Sequence, residues 1–148
     1  MYKHVLLPTD GSELSMKGVE RGLALAKELK ASATIVTVTP AWSSFDMASE
    51  ARMGHADPIE TFEKEASEAA RRILDDAKSK AEAVGLDAKL VHLADMHAAE
   101  GIIKAAKEHG SDLIVMSSHG RRGVRQVILG SQTAEVIATI NIPVLVIR

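Results

Sequence analysis

The sequence predicts an α/β fold, a parallel β-sheet covered by helices on both faces. Three observations predict it. Five short apolar runs alternate with stretches whose apolar residues recur every three or four positions. The strand–helix alternation continues to the last run, and strands joined through helices lie parallel. The run Leu113 to Met116 is unbroken rather than alternating, which suits a strand buried on both faces.

The first strand is Val5 to Pro8, and Pro8 fits its end better than its middle. Asp10 or Ser12 can cap the following helix, whose inward face carries Val19, Leu23, Ala26 and Leu29. Ala33 to Thr39 is the second strand, with β-branched Thr34, Ile35, Val36, Thr37 and Val38. Residues 40–57 show no period. They are expected to form a long loop, with room for one helical turn, that presents Trp42, Phe45, Met47 and Met53 as a flap or contact surface.

Asp57-Pro58-Ile59-Glu60 opens the next helix with a cap, a proline at the first helical position and an acid at the third. Its inward residues run from Ile59 and Phe62 to Val84, and Gly85 stops it. Lys89 to Leu93 is the third strand. Asp95 can cap a helix that turns Ala99, Ile102, Ile103 and Ala106 inward and ends at Gly110. Asp112 to Met116 is the fourth strand. Ser131 can cap the last helix, Ser131 to Ile140, which leaves through a left-handed Asn141. Pro143 precedes the final strand, Val144 to Ile147.

Composition removes several functions. At 148 residues the chain reads as one domain, residues 1–148, long enough for a sizeable core. A formal charge of -2 gives no bulk attraction to nucleic acid or to an anionic membrane. An aromatic content of 3% argues against a base-stacking surface. With no cysteine there is no disulfide, thiolate metal site or cysteine nucleophile. The histidines at 4, 55, 92, 97, 109 and 119 lack the i, i+4 spacing of a zinc motif. The opening MYKHVLLPTDG has too short an apolar run for a signal peptide, and no stretch approaches the ~20 apolar residues of a membrane span. The chain therefore reads as soluble and cytoplasmic.

The chemistry concentrates in LIVMSSHGRRGVRQVILGS, residues 113–131. Gly120 and Gly123 allow close backbone approach or positive φ. Gly130-Ser131 opens a helix whose first N–H groups attract an anion. Arg121, Arg122 and Arg125 add fork-shaped cationic donors, or form a solvated basic loop. His119 reads as a residue that shapes the loop or flanks phosphate. In a parallel sheet, ligands bind beyond the carboxyl ends of the strands where strand order reverses. Three loops meet there: Pro8 to Ser12, Val38 to Trp42, and Ser117 to Ser131. Asp10 could accept a ribose hydroxyl, stand near a metal–phosphate pair, or simply cap a helix. The P-loop, the G-x-G-x-x-G turn and the nucleophile elbow are all missing.

HVLLPTDGS, ATIVTV, DLIVMSSHGRRG, LGSQTAEVI and the closing IPVLVI together resemble the universal stress protein family over essentially the whole chain. The resemblance implies a Rossmann-like, adenine nucleotide alpha hydrolase-like sheet of five parallel strands in the order 3-2-1-4-5, with helices on both faces. Its ATP-binding branch carries G-x2-G-x9-G-[ST], matched here by Ser117-x2-Gly120-x9-Gly130-Ser131, with Ser117 in place of the first glycine. By position, the resemblance puts adenine and ribose near Pro8, Thr9, Asp10 and Val38, with Met116 and Ser117 close by. It puts phosphates on His119, Gly120, Arg121, Arg122, Gly123, Gly130, Ser131, Gln132 and Thr133. It further implies ATP with Mg²⁺ on its phosphates, and a homodimer through the edge strand Ile142 to Ile147. The function expected is ATP binding by a stress-response regulator, with slow hydrolysis at most because no base is placed to activate water. Two rivals stand beside it: an interaction module working through its dimer surface and residues 40–57, and a slow Mg²⁺-dependent ATPase. A phosphoacceptor receiver domain is weaker still, lacking paired acids after the first strand.

Overall fold

The computed structural model of the chain describes residues 1–120 and 129–148. Its elements follow in the order β1 (His4–Pro8), α1 (Glu13–Leu29), β2 (Ser32–Val38), α2 (Ser44–Arg52), α3 (Pro58–Ala83), β3 (Lys89–Leu93), α4 (Ala98–Glu108), β4 (Leu113–Ser117), α5 (Ser131–Thr139) and β5 (Val144–Ile147). The strands form one sheet in the order β3-β2-β1-β4-β5. Every neighbouring pair is parallel, with Val5 opposite Ala33 on one side and Leu113 on the other.

Strand alternation divides the core into two layers. Val5, Leu7, Ile35 and Val115 face α1 and α3, meeting Val19, Leu23, Leu74 and Ala77. Leu6, Val36, Ile114 and Met116 face α4 and α5, meeting Ala99, Ile102, Ala105 and Val136. Leu6, Leu7, Leu23, Ile35 and Ile114 are wholly buried. Each contributes about 2 kcal/mol by removal from water. Gly22 lets α1 lie directly on the sheet: a Cβ there would run into the Leu7 side chain and stand 3.2 Å from Val115 Cβ.

Four local expectations are corrected. Residues 40–57 are not one loop, because α2 occupies their middle. Ser43 and Asp46 form a reciprocal capping box at its start. The helix buries none of its residues, so no apolar period announces it. Asp95 does not cap α4; it sits at φ 60, and the cap is His97, with no side-chain bond of its own. Ser131 is the first helical residue of α5 rather than its cap, which is Gly130. Gly130 stays outside the helix because its amide is tied to the Ser118 carbonyl at 2.7 Å. Asn141 does not take the left-handed exit. α5 ends in extended backbone at Ile140, and among the described residues only Lys30 and Asp95 are non-glycines with positive φ. The glycine stops after α3 and α4 stand as expected, Gly85 at φ 78 and Gly110 at φ 62. Among the described residues no helix is long and apolar enough to cross a membrane.

Candidate functional site

A crevice opens beyond the carboxyl ends of β1, β2 and β4, where the strand order turns from β2-β1 to β4-β5. It encloses a cavity of about 120 Å³ and opens through its mouth to solvent. Its floor is apolar: Val36 and Val38 from β2, Ile102 from α4 and Met116 from β4. Its rim is polar.

The β1 rim is built by local hydrogen bonds. Gly11 turns at φ 79, which frees Ser12 to cap α1 by accepting the Ser15 amide at 3.3 Å. Of the two cap candidates, Ser12 takes the helix and Asp10 takes the turn: Asp10 Oδ1 accepts the Ser12 amide at 3.0 Å. The buried Thr9 hydroxyl pairs with Ser15 Oγ at 2.9 Å and accepts the Gly11 amide at 3.1 Å. Thr9, Asp10 and Gly11 are thereby fixed before any ligand arrives.

The β4 rim is equally constrained. Ser117 is buried and donates from Oγ to the His119 carbonyl at 2.6 Å. The serine at the place of the family's first glycine thus closes the turn with its own hydroxyl. Ser118 Oγ lies 2.8 Å from His119 Nδ1. His119 Nε2 is buried and has no hydrogen-bond partner among the described residues. Gly120 passes so close to Asp10 that a Cβ there would meet the carboxylate Oδ2. That glycine is needed for close approach, not for positive φ.

α5 starts against this rim. Thr133 Oγ1 donates to the Ser117 carbonyl at 3.0 Å, which pins the helix to the end of β4. Gln132 Oε1 accepts the Ala99 amide at 2.9 Å, from the start of α4. The first amides of a helix have no partner within the helix. Those of Ser131, Gln132 and Thr133 bond to no other described residue.

Of the residues picked from sequence, the crevice gathers Pro8, Thr9, Asp10, Val38, Met116, Ser117, His119, Gly120, Gln132 and Thr133. Gly130 and Ser131 stand beside it rather than in its lining. Arg121, Arg122, Gly123 and Arg125 lie outside the described residues. Sequence reasoning missed Ser15, Val36, Ala98 and Ile102. Ser15 and Val36 sit one helical turn and one strand step from chosen neighbours. Ala98 and Ile102 lie in the first turns of α4, whose start no motif marked. No group of three or more His, Cys, Asp or Glu could hold a metal among the described residues. Among the described residues, Asp10 is the one carboxylate in the lining.

Comparison with known proteins follows the same outline. A family model described as the universal stress protein family matches residues 1–148. Universal stress protein YxiE of Bacillus subtilis is 31% identical over 155 residues, spanning 100% of both chains. Universal stress protein MJ0577 of Methanocaldococcus jannaschii is 31% identical over 166 residues, 100% of this chain and 96% of that one. The MJ0577 structure superposes with a TM-score of 0.79 at 29% identity, over 99% of this chain and 96% of the other. A universal stress protein from Archaeoglobus fulgidus, solved in complex with dAMP, shares the fold at a TM-score of 0.71 and 19% identity, over 100% of this chain and 98% of the other.

Proposed function

The chain belongs to the universal stress protein family, and we propose that it is a single-domain, cytoplasmic, dimeric ATP-binding protein that acts as a stress-response regulator. The observation carrying this reading is the crevice itself. An apolar slot of Val36, Val38, Ile102 and Met116 suits a base, and beside it stand the polar groups a ribose and phosphates need. Asp10 would accept a ribose hydroxyl. His119 Nε2 is a buried polar atom with no described partner, as a group awaiting a ligand oxygen would be. The first amides of α5 supply the partial positive charge that draws a phosphate. Gly120 keeps the approach open, and Arg121, Arg122 and Gly123 would complete the cradle. The dAMP complex of the Archaeoglobus protein supports the reading at the level of the fold.

Mg²⁺, where it accompanies the phosphates, would find its protein oxygen in Asp10 and would offset phosphate charge. A hard cation suits phosphate oxygens and water. Binding is the primary activity, with slow hydrolysis at most, because Asp10 is engaged by the Ser12 amide and the lining holds no other carboxylate among the described residues to act as base.

One measurement tests the proposal. Protein purified in its native state is denatured, the released small molecules are identified by mass, and the stripped protein is titrated with ATP. ATP or ADP in the supernatant, or saturable binding below millimolar ATP, is expected; neither would end the reading. A second reading, an interaction module, is favoured by α2, which buries no residue and exposes Phe45 at 77%. Gly130→Glu separates the two. A side chain there meets the Ser118 carbonyl at 3.1 Å and adds negative charge to the cradle. It abolishes function if nucleotide matters and spares it if only the surface does.

A further inference from the structure

α4 begins without a cap of its own. His97 stands at the cap position in extended backbone, and its side chain makes no capping bond. Helix geometry leaves the amides of the first turn without intrahelical partners. The Ala99 amide is taken up from another helix, by Gln132 Oε1 at 2.9 Å. Gln132 is the second residue of α5.

Both helix starts reach the crevice, α4 through Ala98 and Ile102, α5 through Gln132 and Thr133. α5 is pinned to β4 by the bond from Thr133 to the Ser117 carbonyl. α4 is seated on β2 because Gly101 carries no side chain: a Cβ there would stand 2.7 Å from Val38 Cγ1. Val38 is itself part of the apolar slot. A continuous set of contacts therefore runs from β4 through Thr133, Gln132 and Ala99 to α4 and Val38. Among the described residues, the bond from the Ala99 amide to Gln132 Oε1 is the one hydrogen bond between the two helices.

We propose that Gln132 is a positioning residue: by capping α4 from the start of α5, it sets where Ala98 and Ile102 stand, and so couples the phosphate end of the crevice to its base end. This rests on the nucleotide reading above and assigns Gln132 a task other than phosphate contact. Its loss is felt by the nucleoside part of the ligand, not by the phosphates alone. A preformed wall also spares the ligand the ordering of that helix start on binding.

Adenosine and ATP distinguish the two tasks. Each is titrated into the wild type, Q132A and Q132E, while hydrogen exchange of the Ala99 amide is followed in the ligand-free proteins. In Q132A, Ala99 exchange is expected to accelerate at least about fivefold, and the affinities for adenosine and ATP to fall by the same factor, about fivefold, the effect of losing one helix cap. A glutamate carboxylate accepts the same amide, so Q132E retains Ala99 protection and adenosine affinity while losing affinity for ATP through charge repulsion. Unchanged Ala99 exchange in Q132A, or a loss confined to ATP with adenosine unaffected, would overturn the proposal. A wild type that binds neither ligand would overturn the nucleotide reading instead, and Ala99 exchange would still decide the cross-cap.

Discussion

At the scale of single residues, the crevice is shaped by side chains that are absent as much as by those present. Gly120 has ordinary φ, so its value lies in the space it leaves for the Asp10 carboxylate. Gly120→Ala is expected to displace Asp10 and weaken ATP binding about tenfold, or ~1.4 kcal/mol, with little change in melting temperature; calorimetric titration beside a thermal melt checks it. The amino ends of β1 and β4 hold a different residue-level constraint. Asp112 is pushed up by burial, but the amides of His4 and Lys3 outweigh this and hold its carboxyl below the usual value of 3.8. Burial lowers His4 below 6.5, aided by His109 and Lys89 and opposed by Asp112; burial alone lowers His92. A histidine held low binds fewer protons folded than unfolded, so its contribution is complete above pH 6.5 and is lost as pH falls towards the folded pKa. Asp112 contributes above pH 3.8 and is lost below it. Denaturant midpoints measured from pH 8 to pH 3 should therefore decline in two steps, and His4→Gln should flatten the upper one.

At the scale of elements, the legible helices were those that bury a face. α1 and α3 carry Val19, Leu23, Ala26, Ala77 and Ala81 at helical spacing, and each is buried. α2 buries nothing, so only the pair Ser43 and Asp46 could have revealed it. The starts of α4 and α5 are hard to read from sequence for a related reason. A capping side chain beside a helix looks the same in sequence whether it caps that helix or belongs to a neighbouring turn. At α5 the decisive bond, from Gly130 to the Ser118 carbonyl, joins positions that composition cannot connect. Two variants separate these kinds of element. Ser43→Ala should cost α2 about 1 kcal/mol of local stability, seen as faster hydrogen exchange within Ser44–Arg52, while the global melt stays put. Gly22→Ala, which presses a methyl on Leu7 and Val115, should destabilise the whole chain by about 1–3 kcal/mol in urea unfolding.

At the scale of the whole molecule, parallel pairing and two-sided burial were readable because they follow from apolar runs and helical periods. Strand order was not; it came through the family resemblance, and the sheet bears it out as β3-β2-β1-β4-β5. That order leaves β5 at an edge with Leu145 at 43% exposure, the surface through which the homodimer is proposed. Leu145→Lys is expected to convert dimer to monomer in sedimentation while leaving the circular dichroism spectrum unchanged. The central place of β1 has a consequence for synthesis. Val5 and Leu6 of β1 lie beside Leu113 and Ile114, which are translated roughly 5–20 s after them at ordinary elongation rates. Through that interval one flank of β1 stands unzipped, so the nascent chain must be shielded by a chaperone or its own transient collapse until the fourth strand arrives.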